Sequence, residues 1–197
     1  MYQLVLASAS PRRRQLLQDA GFSFLVHPSQ ISETFDENLT IDEQLRDLSR
    51  RKAEVVFEEY KHIHKDPFLV LAADTEVVIH GEALGKPKDE RQATAFLKLL
   101  SGCFHEVKTA LFIKESINGD FVSHVETTLI EFNELTDQEI QDYVKTSEPY
   151  DKAGGYAIQG AGGQFVKRTA GSWTNVVGLP VEKFTELLQK KSWVLKK

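Results

Sequence analysis

The chain opens with Leu4-Val-Leu-Ala-Ser-Ala-Ser-Pro-Arg-Arg-Arg14, an apolar run that leads directly into a helix start. The run from Leu4 to Ala7 is too short for a helix, so it predicts a buried strand. Ser10 followed by Pro11 predicts that a helix begins here. A serine oxygen can accept hydrogen bonds from free backbone N–H groups, and proline is favoured at the first helical position. The segment therefore predicts a strand, a serine turn and a helix that begins with arginines.

Three consecutive arginines occupy the first turn of this helix, where the helix dipole is positive and each cation costs about 0.3–1 kcal/mol. That placement favours a bound anion. Together with free N–H groups and the hydroxyls of Ser8 and Ser10, guanidinium groups would suit a phosphate. At about 100° per residue, Arg13 points towards the apolar side of the helix, Arg12 flanks it and Arg14 faces outward. The alternative is a solvated basic cluster, since the segment lacks the glycine pattern of a P-loop.

Length and composition favour one soluble domain. The 197 residues suit a single domain covering residues 1–197, and 41% hydrophobic and 27% charged residues are typical of globular proteins. The longest apolar stretch, Phe68 to Ala73, is too short to span a bilayer, and the N-terminus does not resemble a signal peptide. The single cysteine, Cys103, cannot form an intrachain disulfide. We therefore expect a cytoplasmic protein that does not bind membranes.

The net charge of −5 bears on the ligand. An acidic balance argues against the broad basic surface that nucleic-acid binding requires, although a small basic pocket is compatible with it. We therefore expect a small anionic ligand and no nucleic acid.

Helix and strand signals alternate early in the chain, and long antiparallel strands follow. Thr40 and Glu43 form a capping box, as do Thr136 and Glu139, and Asn118-Gly119 is a strong hairpin signal. This order predicts an α/β protein with a mixed sheet flanked by helices. The predicted helices are the one after Ser10, Thr40 to about Tyr60, Glu90–Leu100, Thr136 to about Lys145 and Pro180–Gln189. The predicted strands are Leu4–Ala7, Phe22–Val26, Phe68–Ala73, Glu76–Ile79, Glu106–Lys114 and Phe121–Phe132.

Lys52 interrupts the apolar stripe of the Thr40 helix, since it lies four residues after Leu48 and three before Val55. A buried ammonium group needs a partner. The alternative is a lysine whose methylenes cover the core while its charged end reaches water.

Asp74 follows the most apolar run, Phe68 to Ala73, and is predicted to end that strand. Functional groups of α/β proteins gather at the carboxyl ends of strands, where a carboxylate could bind a divalent metal or accept a proton from water. The alternative is an aspartate that caps or shapes a turn. Glu33 lies in an acidic loop, residues 31–38, most of which should be plain surface.

Two further polar residues lie in glycine-containing segments. Gln159 is placed between a predicted short strand, Tyr156 to Ile158, and glycines that would let a ligand approach the backbone closely. Its amide could read the edge of a nucleobase, or it could be an ordinary polar residue at a strand end. Lys86 lies in the loop Gly85-Lys-Pro-Lys88. It could bind a ligand, or it could be an ordinary turn residue that contributes to solubility.

Six segments in register resemble the Maf family, the septum-formation-like nucleotide pyrophosphatases. Each segment is weak alone, but six in the expected order are specific, and the resemblance runs from residue 4 to about residue 190. Val177-Gly-Leu-Pro180 fits as well. The six segments are Leu6-Ala-Ser-Ala-Ser-Pro-Arg-Arg13, Arg51-Lys-Ala53, Ala73-Asp-Thr75, Gly85-Lys-Pro87, Leu100-Ser-Gly102 and Asp151-Lys-Ala-Gly-Gly-Tyr-Ala-Ile-Gln-Gly160.

The resemblance implies an enzyme that cleaves a nucleoside triphosphate between its α and β phosphates, with a divalent cation, Mg²⁺ or Mn²⁺. It implies an elongated sheet similar to that of the inosine triphosphate pyrophosphatases, with a central cleft, and a homodimer. The branch it resembles prefers dTTP and UTP over 7-methyl-GTP, and modified pyrimidine nucleotides are left open. The alternative is a noncatalytic nucleotide-binding regulator of cell division.

The resemblance also implies a role for each matching residue. Asp74 would accept the proton of the attacking water, and Glu33 would join it in binding the metal. The residues that would bind phosphate are Ser8, Arg13, Lys52 and Lys86, and Ser10 joins them because of its hydroxyl at the helix start. The residues associated with the choice of base are Arg12, Thr75 and Gln159.

Overall fold

The computed structural model of the chain describes residues 1–196, in which the regular elements are seven strands and six α-helices. The strands are β1 (Gln3–Leu6), β2 (Phe24–Val26), β3 (Phe68–Ile79), β4 (Glu82–Ala83), β5 (Phe104–Glu115), β6 (Phe121–Phe132) and β7 (Val166–Ala170). The helices are α1 (Pro11–Asp19), α2 (Ile41–Ile63), α3 (Glu90–Leu100), α4 (Asp137–Val144), α5 (Trp173–Val177) and α6 (Val181–Lys190). Three short 3-10 helices lie between α4 and β7.

The strands form a mixed sheet in the order β2-β1-β3-β5-β6-β7, with β4 paired to β3. Strand β1 runs parallel to both β2 and β3, whereas β4 and β7 run antiparallel to β3 and β6. Parallel neighbours require crossover connections, and α1 and α2 supply them between β1, β2 and β3. The predicted mixed α/β sheet is confirmed.

The chain divides into two compact units, and strands β3, β5 and β6 contribute residues to both. The first unit comprises residues 1–74, 109–126 and 178–197, and the second comprises residues 75–108 and 127–177. The single domain, the elongated shape and the central cleft stay predictions.

The core of the first unit joins α2 to one face of the sheet. Val5, Val70 and Phe112 come from three neighbouring strands and pack with Val56 and Phe57 of the helix. Strand residues two apart share a face, so the alternation of the strands sets which side chains meet the helix. The position of α2 therefore places its buried stripe against β1 and β3.

Helix α2 begins as its sequence predicts. Thr40 and Glu43 form the expected capping box, in which each side chain hydrogen-bonds the backbone of the other residue. The helix runs three residues beyond the predicted end, and Val55, which was predicted to belong to the apolar stripe, is exposed. The buried face of the helix includes Leu48, Lys52 and Val56, since a spacing of four residues keeps side chains on one face.

The local signals for a helix start and a hairpin are confirmed. Ser10 caps α1 by accepting a hydrogen bond from the backbone N–H of Arg13 at 3.5 Å. Gly119 adopts a positive φ of 74° in the turn between β5 and β6. The carboxylate of Glu115 accepts hydrogen bonds from the backbone N–H groups of Ile117 and Asn118, both at 2.7 Å. These bonds satisfy the backbone of the hairpin turn.

The prediction that Asp74 ends a strand is wrong, and so is the turn alternative. Asp74 lies in the interior of β3, which continues to Ile79. The residues after Asp74 include Val77 and Val78, whose branched side chains favour a strand. The strand tolerates a buried carboxylate here because Lys52 pairs with it at 2.7 Å.

Candidate functional site

Lys52 is the centre of a charged cluster in the first unit. Its side chain is buried, with 6% of the residue exposed, and its Nζ lies 2.7 Å from Oδ1 of Asp74 and 2.5 Å from Oε1 of Glu33. The hypothesis that the ammonium group reaches out to bulk water is therefore wrong. One cation instead bridges two carboxylates that are far apart in the chain.

The two carboxylates lie in different environments. Asp74 is only 8% exposed, whereas the side chain of Glu33 is 51% exposed. A desolvated ion pair depends strongly on its geometry, because each charge has lost most of its water. The Lys52–Asp74 pair is thus the rigid, dry part of the cluster, and Glu33 covers it from the solvent side.

The pairing of β1 with β3 brings the serine turn to the same region. Leu6 is aligned with Leu71 in the parallel ladder, and the backbone N–H of Ala7 donates to the carbonyl of Leu71 at 2.8 Å. Ser8 and Asp74 follow these paired residues on strands that run in the same direction. Both residues therefore lie beyond the carboxyl end of the β1–β3 ladder, Ser8 in the turn after β1 and Asp74 within β3 itself.

Ser8 and Arg13 are linked to each other. One guanidinium nitrogen of Arg13, Nη1, donates to the Ser8 hydroxyl at 3.2 Å, and its Nε donates to the carbonyl of Gly178 at 2.8 Å. The Ser8 hydroxyl also accepts from the backbone N–H of Ser10 at 3.2 Å. These bonds orient the guanidinium group of Arg13 along the turn that precedes α1.

The electrostatics of Arg13 connect it with the Lys52 cluster. Burial lowers the pKa of Arg13, the carboxylate of Asp74 raises it, the charge of Arg12 lowers it, and Glu33 raises it again. The guanidinium group stays protonated at neutral pH, since arginine keeps its charge in proteins. Two cations, the half-buried Arg13 and the buried Lys52, thus act on the same pair of carboxylates.

The other two arginines differ in exposure. Arg12 is half-buried, and Arg14 is exposed, with its guanidinium group donating a long hydrogen bond, 3.3 Å, to the carbonyl of Ala9. The expectation that Arg14 faces outward is confirmed.

Glu33 is held in place by an arginine that the sequence did not single out. Residues 27–40 carry no regular secondary structure apart from a turn near Asn38. Arg51 of α2 donates hydrogen bonds to the carbonyl of Ser32 at 3.1 Å and to that of Thr34 at 2.6 Å. It therefore binds the backbone on both sides of Glu33. Its place beside Lys52 in the chain was the available signal, but spacing alone does not reveal a bond to a distant loop.

Thr75, Lys86 and Gln159 belong to the second unit. Thr75 is half-buried and follows Asp74 directly in β3, so its side chain points to the opposite face of the sheet. Lys86 is exposed in the loop between β4 and α3. The backbone of this loop is held at Gly85, whose N–H donates to Glu76 at 3.1 Å and whose carbonyl accepts from Gly154 at 2.8 Å.

The predicted strand before Gln159 is wrong. Tyr156 has an extended backbone but lies outside the strands, the chain turns at Ile158 and Gln159, and Gln159 is exposed. Gly154 and Gly155 both adopt a positive φ, near 70°, and fold the chain out of the extended conformation. The backbone N–H of Gly160 then donates to the carbonyl of Ala157 at 3.1 Å and closes the turn.

Glu148 holds the other side of this turn, and sequence reasoning missed it. Its carboxylate accepts hydrogen bonds from the backbone N–H groups of Ala161 and Gly162, both at 3.0 Å, and from the Tyr143 hydroxyl at 2.8 Å. Burial raises the pKa of Glu148, but these hydrogen bonds outweigh burial and leave the pKa below its ordinary value. A Cβ atom at Gly160 would overlap this carboxylate, so a larger residue there would displace Glu148 from its hydrogen bonds.

Two carboxylates suit a hard cation. Among residues 1–196 no group of three or more His, Cys, Asp or Glu side chains is arranged to hold a metal. Mg²⁺ does not require such a group, because it keeps several waters and is commonly bound by one or two carboxylates together with substrate phosphates. Asp74 and Glu33, which converge on one Lys52 nitrogen, fit that pattern.

The chain belongs to the Maf family, since the family model described as Maf-like protein matches residues 3–191. The resemblance noted in the sequence is therefore confirmed.

Curated relatives align with nearly the whole chain. The dTTP/UTP pyrophosphatase of Bdellovibrio bacteriovorus is 52% identical over 187 residues, which cover 95% of this chain and 97% of that protein. The dTTP/UTP pyrophosphatase of Geobacillus sp. is 44% identical and covers 98% of this chain and 100% of its own. That of Caldicellulosiruptor bescii is 41% identical and covers 100% of this chain and 98% of its own.

A solved structure of a nucleoside-triphosphatase, named dITP/XTP pyrophosphatase, from Mycobacterium abscessus aligns over 96% of both chains. Its TM-score of 0.41 and identity of 12% are too low to support an argument. No helix within residues 1–196 combines the length and apolar character needed to cross a membrane.

Proposed function

We propose that this protein is a nucleoside triphosphate pyrophosphatase that hydrolyses dTTP and UTP to the nucleoside monophosphate and pyrophosphate. The observation that carries the proposal is the buried Lys52, whose ammonium group lies between the carboxylates of Asp74 and Glu33. This cluster occurs in a chain that is 52% identical to a dTTP/UTP pyrophosphatase. The identity supplies the substrate class, and the cluster supplies groups suited to the chemistry.

In this proposal the triphosphate is bound by cationic side chains of the first unit and by hydroxyl and backbone N–H groups at the start of α1. Lys52 is a buried cation and Arg13 a half-buried one, and a polyphosphate is an anion that benefits from both. Ser8 and Ser10 add hydroxyl groups at the start of α1, where backbone N–H groups and the helix dipole also favour an anion. Because Arg13 is already oriented by Ser8 and Gly178, little side-chain freedom is lost when the phosphates bind.

Asp74 and Glu33 are the residues that would hold a divalent cation, Mg²⁺ or Mn²⁺. When bound, such a cation supplies charge neutralisation on the phosphate oxygens. The two carboxylates offer oxygen ligands of the hard type that these cations prefer.

Asp74 is proposed to accept the proton of the attacking water. Water adds across the anhydride between the α and β phosphates, one P–O bond forms as the bridging P–O bond breaks, and the products are the monophosphate and pyrophosphate. In phosphoryl transfer the protein mainly positions groups and balances charge, so no nucleophilic side chain is required. The desolvated position of Asp74 strengthens its hydrogen bond to such a water.

The base is proposed to be read by Arg12, Thr75 and Gln159, with Lys86 as a further phosphate ligand. These roles rest on the resemblance to the family. The exposed turn that carries Gln159 is held by hydrogen bonds to Glu148, which gives the amide a defined backbone from which to act. We further propose that residues 1–197 form one domain and that the protein is a cytoplasmic homodimer. It is proposed to bind neither nucleic acid nor membranes.

The decisive experiment measures pyrophosphate release by purified protein with Mg²⁺ from UTP, dTTP, 7-methyl-GTP and other nucleoside triphosphates. We expect release from UTP and dTTP, and we expect Asp74→Asn to lower turnover by at least about a hundredfold, since general bases contribute about 10²–10⁴-fold. Asp19→Asn, at an exposed position of α1, is the matched control and should leave turnover unchanged.

Three results would contradict the proposal or one of its assignments. Nucleotide binding without turnover would indicate a noncatalytic regulator. Full turnover in Asp74→Asn would remove Asp74 from the mechanism, and preference for 7-methyl-GTP would reject the roles given to Arg12, Thr75 and Gln159.

A further inference from the structure

We infer that Arg51 is a positioning residue, which holds the loop of residues 31–38 so that Glu33 meets Lys52 and Asp74. The inference rests on the proposed function for the role of Glu33, but the loop contact itself does not depend on catalysis.

The guanidinium group of Arg51 makes contacts in two directions. Its Nε donates to Oδ2 of Asp47, one turn earlier in α2, at 2.7 Å, and this ion pair anchors the side chain to its own helix. Its two terminal nitrogens donate to the carbonyls of Ser32 and Thr34. The planar fork of an arginine can make all three bonds at once, whereas a lysine offers a single nitrogen.

The bonded carbonyls lie immediately before and after Glu33. Two consecutive residues of α2 therefore contact this segment. Arg51 hydrogen-bonds the loop backbone, and Lys52 pairs with the Glu33 carboxylate at 2.5 Å. The Glu33 side chain is half exposed, so apolar packing does not fix its position. Without Arg51 the loop would gain conformational freedom, and Glu33 would have to lose that freedom whenever it joined the cluster.

Arg50 provides a matched control on the same helix. Its guanidinium group pairs with Asp47 at 2.6 Å and with Glu54 at 2.9 Å, both within α2, and it shares the Asp47 anchor with Arg51. Removing Arg50 thus changes the charge and the helix surface in the same way, without releasing a carbonyl beside Glu33.

The experiment is a double-mutant cycle between Arg51→Gln and Glu33→Gln, with Arg50→Gln as the control. Steady-state turnover of UTP is measured as a function of Mg²⁺ concentration, and direct Mn²⁺ binding is measured without nucleotide by electron paramagnetic resonance of the free ion. Residues that orient metal ligands typically contribute about 10–100-fold to metal affinity or activity. We expect Arg51→Gln to raise the half-saturating Mg²⁺ concentration about tenfold and to weaken Mn²⁺ binding by a similar factor. Arg50→Gln should change neither by more than about twofold.

The cycle separates positioning from a general loss of structure. If Arg51 acts through Glu33, Arg51→Gln should have no further effect in the Glu33→Gln background. Multiplicative effects of the two substitutions, or equal effects of Arg51→Gln and Arg50→Gln, would overturn the inference. Arg51→Lys, which keeps a charge near Asp47, tests the same point with an intermediate effect if the glutamine variant folds poorly.

Limited proteolysis by a glutamate-specific protease provides a readout that does not require activity. Cleavage after Glu33 or Glu37 should become faster in Arg51→Gln and remain unchanged in Arg50→Gln. If the wild-type protein released no pyrophosphate, the proposed function would fail, and the proteolysis and Mn²⁺ binding would still decide whether Arg51 holds Glu33. If the wild-type protein is active and these two measurements do not distinguish Arg51 from Arg50, the inference alone fails.

Discussion

Replacing Lys52 with methionine removes the ammonium group from between Asp74 and Glu33 while keeping an unbranched side chain of similar length. Glu33 is half exposed and can be hydrated, so its contribution to the cost is small. Asp74 is 8% exposed and loses a charged partner that lies 2.7 Å away. Breaking a buried ion pair by removing one partner typically costs about 3–5 kcal/mol, because it leaves a buried charge uncompensated.

We therefore expect Lys52→Met to lower the free energy of unfolding by about 3–5 kcal/mol. For a chain of this size that loss lowers Tm by about 6–20 °C. Combining Lys52→Met with Asp74→Asn removes both charges, and replacing a whole buried pair with neutral groups is often close to neutral for stability. The double variant should therefore recover about half of the loss or more, yet it should release no pyrophosphate, since both groups are assigned to the chemistry.

The assay is urea unfolding followed by circular dichroism at pH 7.5, combined with pyrophosphate release from UTP. Lys61→Met, at an exposed position in the last turn of the same helix, is the control and should lower the free energy of unfolding by no more than about 1 kcal/mol, the size of a favourable charge–dipole interaction. Equal free energies of unfolding for Lys52→Met and Lys61→Met would show that the buried Asp74 does not depend on Lys52. A double variant no more stable than Lys52→Met would show the same.

Two further predictions concern the second unit. Burial lowers the pKa of His105 to about 4, and its Nε2 lies 2.8 Å from the Tyr156 hydroxyl. The unfolded chain binds more protons than the folded chain between about pH 4 and the ordinary histidine value near 6.5, so stability should rise with pH across this window and level off above it. From pH 5 to 7.5 the gain should be about 2 kcal/mol, measured by urea unfolding, and His105→Gln should lack this part of the pH dependence. Glu148→Ala should lower the free energy of unfolding by about 3 kcal/mol or more, because it removes hydrogen bonds to a charged acceptor. Hydrogen exchange at the backbone amides of Ala161 and Gly162 should become faster in that variant, and unchanged exchange there would show that Glu148 does not hold the turn.

Features that depend on neighbouring residues could be read from the sequence. The capping boxes at Thr40 and Thr136 and the serine cap at Ser10 are all present in the structure. Each involves residues three apart, so the sequence spacing already contains the geometry. The hairpin at Asn118-Gly119 was predictable for the same reason, since a turn is a local choice of backbone conformation.

Errors arose where local preference and tertiary contacts disagreed. A charged residue after an apolar run usually ends a strand, but β3 continues through Asp74 because Lys52, 22 residues earlier, pairs with it. The run from Tyr156 to Ile158 has the composition of a strand, but it lies outside the strands of the sheet and the chain turns at Ile158 and Gln159. Propensity describes what a segment prefers alone, and packing can override it.

The family and the mixed α/β class could be inferred from the amino-acid sequence, which also indicated Lys52 as a cation that interrupts an apolar stripe. The groups that surround that cation are set by the fold. The contact of Lys52 with Glu33 and the bond of Arg13 to the carbonyl of Gly178, 165 residues away, follow from how distant segments pack, and no spacing in the sequence contains that information. The same holds for Arg51, because its role became visible only when the fold placed the two carbonyls beside Glu33 within reach of its guanidinium group.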